Sequence, residues 1–133
     1  MRQNKIEKDI RCPVDYGLDI LSGKWSLRII SLLGHKGALR FKSIRDEIPL
    51  ISDAALSAAL KVLIEKDMVT REVFPEIPPR TEYALSEKGR SFIPVVHAIC
   101  KWSGQHYREV SEAALVQCKK CTYYVPDDLS EED

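Results

Sequence analysis

The feature that most restricts this chain is a single proline-tipped pair of β-forming runs set into an otherwise helical pattern. Val69-Thr-Arg-Glu-Val-Phe74 and Arg80-Thr-Glu-Tyr-Ala-Leu85 are rich in β-formers, and Pro75-Glu-Ile-Pro-Pro79 separates them. The pattern predicts one two-stranded hairpin with a stiff tip. A chain of 133 residues holds a single core. The fold class expected is therefore mainly α with a small β-hairpin.

The helices are read from their caps and apolar spacing. Cys12-Pro13 opens the first, because proline is preferred at the first helical position, and Ser22-Gly23 ends it. Trp25, Ile29, Leu32 and Leu33 then fall at i, i+4, i+7 and i+8, a second helix expected to stop at Gly34. Ala38 to Phe41 reads as a small edge strand, and Lys42 to Ile48 as a short helix halted by Pro49. Ser52 offers an N-cap to a helix that buries Leu56, Ala59, Leu60 and Leu63 and runs to about Lys66. After the hairpin, Ser86 caps what reads as one long helix. Phe92, Val95, Val96, Ile99 and Trp102 recur there at helical spacing, and Ile93, Ala98 and Cys100 widen the apolar face. So broad a face calls for two partners. A second subunit is the economical choice for one of them, so these five residues are the expected dimer interface.

Composition narrows the function classes. With 44% hydrophobic and 30% charged residues the chain is neither disordered nor low-complexity. No apolar run approaches the ~18 residues of a membrane span, and Met1 to Ile10 is charged instead of carrying a signal core. The expectation is a cytoplasmic protein without a membrane partner, whose four cysteines are reduced thiols. Net charge is zero, but Asp127, Asp128, Glu131, Glu132 and Asp133 crowd five of the 20 acidic residues into the last seven positions. The rest of the chain is left basic, and Lys24 to Arg45 holds Lys24, Arg28, Lys36, Arg40, Lys42 and Arg45 with no acidic residue. Such a stretch either faces a polyanion or forms a solvated helical face whose countercharges come from elsewhere. There is no GxSxG, no phosphate-binding glycine loop and no carboxylate pair placed for a common cleft, so neither an enzyme nor a cofactor is implied.

Helix, helix, short strand, helix, tight turn, helix, hairpin is the order of a winged helix-turn-helix. Its second helix fits a DNA major groove while the hairpin reaches the minor groove or backbone. Several motifs in this order carry a more specific signal: Cys12-Pro-Val-Asp-Tyr16, Gly23-Lys-Trp25, Leu39-Arg-Phe41, Ile51-Ser52, and above all Pro75-Glu-Ile-Pro-Pro-Arg80 with Glu82-Tyr83 and Leu85. From Cys12 to about Trp102 the chain strongly resembles the HxlR family of bacterial winged-helix regulators, relatives of MarR. The resemblance implies a homodimeric transcriptional regulator of double-stranded DNA. In it the Ser52 to Lys66 helix is the reader, the hairpin is the wing, and the N- and C-terminal helices form the dimer interface. Three segments follow: a charged arm at 1–10, the DNA-binding domain at 11–110, and an extension at 111–133.

Turning Leu56, Leu60 and Leu63 inward sends Ala54, Ser57, Ala58, Lys61 and Glu65 outward. Family members often carry Gln, Arg or Thr there. Here the alanines can touch thymine methyls, Ser57 can bond base or backbone, Lys61 can reach phosphate or guanine, and Asp53 can accept from cytosine. Ser52 completes this surface, and Arg40, Lys42 and Arg45 are the phosphate clamps. Arg80 either enters a narrow minor groove or forms a salt bridge to Glu76 or Glu82 that steadies the hairpin.

Cys12 lies between Arg11 and a helix start, where the guanidinium and the helix dipole favour thiolate. Some HxlR-type regulators sense electrophiles or oxidants at the matching position, which implies a thiol-responsive repressor; the alternative is a packed helix entry. Cys118-Lys-Lys-Cys121 lies outside the resemblance. It is either a flexible dithiol or, with His97 and Cys100, half of a zinc site. Cys100 by itself reads as a small core residue. Two other functions stay open at this point: a winged-helix protein-interaction module that has lost base readout, and a zinc or thiol protein working through Cys118 and Cys121.

Overall fold

A computed structural model describes residues 12–106. The charged arm, Arg11, the Cys118–Cys121 motif and the acidic tail lie outside the described residues. The elements are α1 (Pro13–Leu21), α2 (Ser26–Lys36), α3 (Phe41–Glu47), α4 (Asp53–Glu65), β1 (Val69–Phe74), β2 (Arg80–Leu85), α5 (Glu87–Ser91) and α6 (Ile93–His106).

Local chemistry fixes most boundaries. Pro13 starts α1, and the Ser52 hydroxyl accepts from the Ala55 N–H at 3.0 Å to start α4. That helix ends in a Schellman motif. Asp67 takes φ 64°, its N–H donates to the Ile64 carbonyl, and the Met68 N–H donates to Leu63, both at 2.9 Å. The strands pair antiparallel from Val69↔Leu85 to Phe74↔Arg80, with the bounds the sequence predicts. Ser86 caps α5, accepting from the Gly89 N–H at 3.0 Å while donating to the Asp67 carbonyl at 2.6 Å.

Three boundaries differ from expectation. Helix α2 runs through Gly34 and ends at Gly37, whose φ of 84° suits glycine and whose N–H donates to Leu33. Gly34 is a place of close approach: a Cβ there would overlap Ile93 Cδ1 of α6. The expected edge strand at Ala38–Phe41 shrinks to one bridge, Leu39↔Tyr83, with hydrogen bonds of 2.9 and 2.8 Å, because Phe41 already opens α3. The long helix after Ser86 breaks at Phe92. Pro94 has no N–H to give Arg90 and its ring crowds that carbonyl, so the chain tightens through Phe92→Gly89 and Val95→Phe92 bonds.

The core is built around α2. Ile29, Ile30 and Leu32 are fully buried with Ile44 and Ile48, with Leu56, Leu60 and Leu63 of α4, and with Met68 and Val69. The broad apolar face of α6 has one of its two expected partners in the chain itself, which takes Val96 and Phe92 out of the expected dimer interface. Val96 is buried and Phe92 packs on the chain's own core, because α6 rests on α2. Val95 and Trp102 are exposed, Trp102 to 64%, and Ile99 is half-buried. Val14, Tyr16 and Leu18 are also exposed on α1. Cys100 is exposed and is no core residue, since α6 buries only the side that carries Val96.

Candidate nucleic-acid interface

The turn between α3 and α4 is pinned from below. Ile48 and Ile51 are buried, which forces Pro49 and Leu50 outward, and Leu50 is 97% exposed at φ 73°. With Leu56, Leu60 and Leu63 in the core, α4 presents Asp53, Ala54, Ser57, Ala58, Lys61 and Glu65 to solvent, as the apolar spacing predicts.

The charged candidates divide by their partners. Arg45 donates to Asp53 at 2.9 Å and lies 3.9 Å from Asp46. Its hydrogen bond to Asp53, and then that carboxylate's charge, raise the guanidinium pKa above its ordinary value. The pair links α3 to the first residue of α4. The Ser52 hydroxyl is engaged as the helix cap. Arg80 is 29% exposed, lies 2.9 Å from Glu76 and 3.1 Å from Glu82, and stacks 4.1 Å from the Phe74 ring centroid. Of the two readings of Arg80, the one with hairpin salt bridges is the arrangement present.

The basic stretch from Lys24 to Arg45 is similarly divided. Lys24 and Arg28 stand over Trp25 at 5.1 and 5.2 Å, and Lys36 pairs with Glu47 at 3.1 Å. Arg40 and Lys42 are exposed and make no ion pair among the described residues, and the same holds for Lys61 on α4.

Sequence reasoning missed Arg71. It pairs with Tyr83 in the hairpin register, and it lines a groove with Ser57, Leu60, Lys61, Ile64 and Glu65 of α4. The signal was present in the period of the strand, since Val69, Arg71 and Val73 share one face and Val69 is buried. A cation on that face emerges beside a helix.

Cys12 is exposed at the N-cap of α1. Its nearest described partner is one that the sequence reading left out, the Asp15 carboxylate, to which the thiol donates at 4.0 Å. Of the zinc alternative's four residues, only half-buried His97 and exposed Cys100 are described, and among the described residues no group of three His, Cys, Asp or Glu side chains is placed to hold a metal ion. Cys118 and Cys121 lie outside the described residues. No helix among those residues is long and apolar enough to cross a membrane.

A family model described as HxlR-like helix-turn-helix matches residues 20–111. An HTH-type transcriptional regulator of Methanothermobacter thermautotrophicus is 39% identical over 106 residues, which cover 77% of this chain and 80% of the relative. Among solved structures, the redox regulator HypR in its reduced form is similar with a TM-score of 0.68 and 33% identity, over 77% of this chain and 100% of that one. The reduced form of the transcriptional regulator YodB from B. subtilis gives 0.66 and 34%, over 75% and 98%.

Proposed function

From the premise that this chain belongs to the HxlR-like helix-turn-helix family, and is thus a DNA-binding transcriptional regulator and not an enzyme, we propose that it is a homodimeric repressor released by thiol oxidation. Residues 11–110 form its DNA-binding unit. The observation that carries the reading is that Arg40, at the N-cap of α3, Lys42 on α3 and Lys61 on α4 stand without ionic partners among the described residues, whereas Lys36, Arg45 and Arg80 are paired.

Helix α4 enters the major groove. Ala54 and Ala58 lie against thymine methyls, Ser57 and Asp53 bond base edges, and Lys61 takes guanine or phosphate. Arg40 and Lys42 hold the backbone. Arg45, braced by Asp53, fixes the angle between α3 and α4, and Arg80 is neutralised by Glu76 and Glu82 within the hairpin and stays outside the DNA contact. Cys12 is the regulatory thiol: it is exposed and stands at a helix start, and a redox regulator is among the similar structures.

The test is affinity for a duplex from the upstream intergenic region against a scrambled duplex, with thiols reduced and then diamide-treated. Reduced protein is expected to prefer the upstream duplex, with log affinity falling linearly in log salt at about 0.9 per phosphate contact. Diamide is expected to weaken binding by the wild type and to leave Cys12→Ser unaffected. No preference over scrambled DNA would overturn specific readout, and indifference to diamide would overturn the switch.

Dimerisation uses the exposed apolar residues of α1 and α6, Leu18 and Trp102 foremost. The wild type is expected to sediment at twice the chain mass of 15.1 kDa. The double variant Leu18→Asp, Trp102→Asp is expected to sediment as a monomer; a monomeric wild type would refute the assignment.

A further inference from the structure

The two arginines of the hairpin face different surroundings. Arg80 is enclosed by Glu76, Glu82 and the Phe74 ring, and Glu72 stands directly opposite Glu82 in the strand register. The outer part of the wing thus carries three carboxylates around one guanidinium that is already engaged, a surface that phosphates avoid. Arg71 is exposed, with no ion pair or ring contact among the described residues.

Its place is well fixed. Tyr83 pairs with Arg71 on one side and is bridged to Leu39 on the other, so three backbone segments stand abreast. At ordinary strand spacing this sets Arg71 roughly 10 Å from Leu39, whose neighbour is Arg40. Facing α4, Arg71 borders a groove of about 250 Å³ that Lys61 and Ser57 share, with Leu60, Ile64 and Tyr83 also lining it. Glu65 lies on the same groove, leaving two positive charges against one. Lys61 and Ser57 also belong to the outward surface of the reader helix, so whatever occupies this groove lies beside the bound duplex.

We propose that Arg71 and Lys61 together take one backbone phosphate of the DNA in this groove, with the Ser57 hydroxyl as a third donor. On this assignment the wing grips DNA at its root, and its tip does not contribute to the electrostatic hold. The inference rests on the DNA-binding reading and adds to it a residue and a contact.

The experiment is a salt titration of binding to the upstream and scrambled duplexes by the full chain and by Arg71→Gln, Arg71→Lys and Arg80→Gln. Arg71→Gln is expected to lower the log–log slope by up to about 0.9 per bound protomer and to weaken both duplexes alike, by up to about fivefold near 0.15 M salt, Lys61 alone holding the phosphate less well. Arg71→Lys restores the slope, and Arg80→Gln leaves it unchanged. A scan of the upstream duplex with single neutral methylphosphonate linkages supplies a readout independent of protein folding. One linkage costs the wild type about fivefold and costs Arg71→Gln clearly less, because only Lys61 and Ser57 then remain on that phosphate. An unchanged slope in Arg71→Gln, or the same methylphosphonate penalties in both proteins, overturns the clamp while the DNA-binding reading stands. A wild type that binds neither duplex overturns both.

Discussion

Gly89→Ala is expected to destabilise the protein by about 3 kcal/mol or more and to lower its thermal midpoint by roughly 10 °C, as read by circular dichroism on heating. Gly89 is buried where α5 enters the core, its N–H held by the Ser86 hydroxyl. A Cβ at this position would overlap the Met68 carbonyl oxygen, and Leu85 Cδ2 would stand 3.2 Å away. Neither obstacle yields easily. The Met68 carbonyl accepts from the Ser86 N–H at 3.0 Å, and the Met68 side chain is fully buried. Gly34→Ala is the control, because there the new methyl meets the free end of Ile93, which can turn aside, so its loss is expected to be less than half as large. Equal midpoints for Gly89→Ala and the wild type would show that α5 does not dock on Met68.

The second large effect is on binding. Replacing Arg40, Lys42 and Lys61 together by Gln is expected to cost about thirtyfold or more in affinity per protomer near 0.15 M salt, since two phosphate contacts at about 0.9 each are lost from the salt slope and the one shared with Arg71 is weakened. The loss should fall on upstream and scrambled duplexes alike wherever these residues touch only phosphate. A larger loss on the upstream duplex would show that Lys61 reads a base. The thermal midpoint should stay put, because all three side chains are exposed and make no ion pair among the described residues. Unchanged affinity would remove the helix-turn-helix from the DNA contact altogether.

The parts of the fold that sequence conveyed were those governed by contacts within a few residues. Pro13, the Ser52 cap and the proline-tipped hairpin act locally, and they place α1, α4 and both strands where the chain has them. Gly34 misled because a glycine in a helical pattern can end the helix or admit a neighbour, and only the path of α6 decides between these. The break at Phe92 was within reach of local rules, since Pro94 removes one helical bond, but the apolar spacing across it is unbroken and argued for continuity. The outward face of α4 was equally legible. Which cations around it are free was not, because Arg45, Lys36 and Arg80 find carboxylates at distances in sequence from one to eleven residues, and Arg40, Lys42, Lys61 and Arg71 find none among the described residues. Composition cannot distinguish a neutralised arginine from an available one.

The single bridge between Leu39 and Tyr83 has a consequence for how a signal reaches DNA. Two short backbone bonds rivet the hairpin to the segment leading into α3, so helix-turn-helix and wing form one stiff pincer. Such a pincer cannot open jaw by jaw. Under the proposed dimeric, thiol-controlled function, a chemical event at the far end of α1 would therefore act on the pitch between two whole pincers. In a dimer whose half-sites are spaced by one turn of DNA, about 34 Å, a small rotation of one pincer takes its reader out of step with the groove while leaving every contact inside it intact.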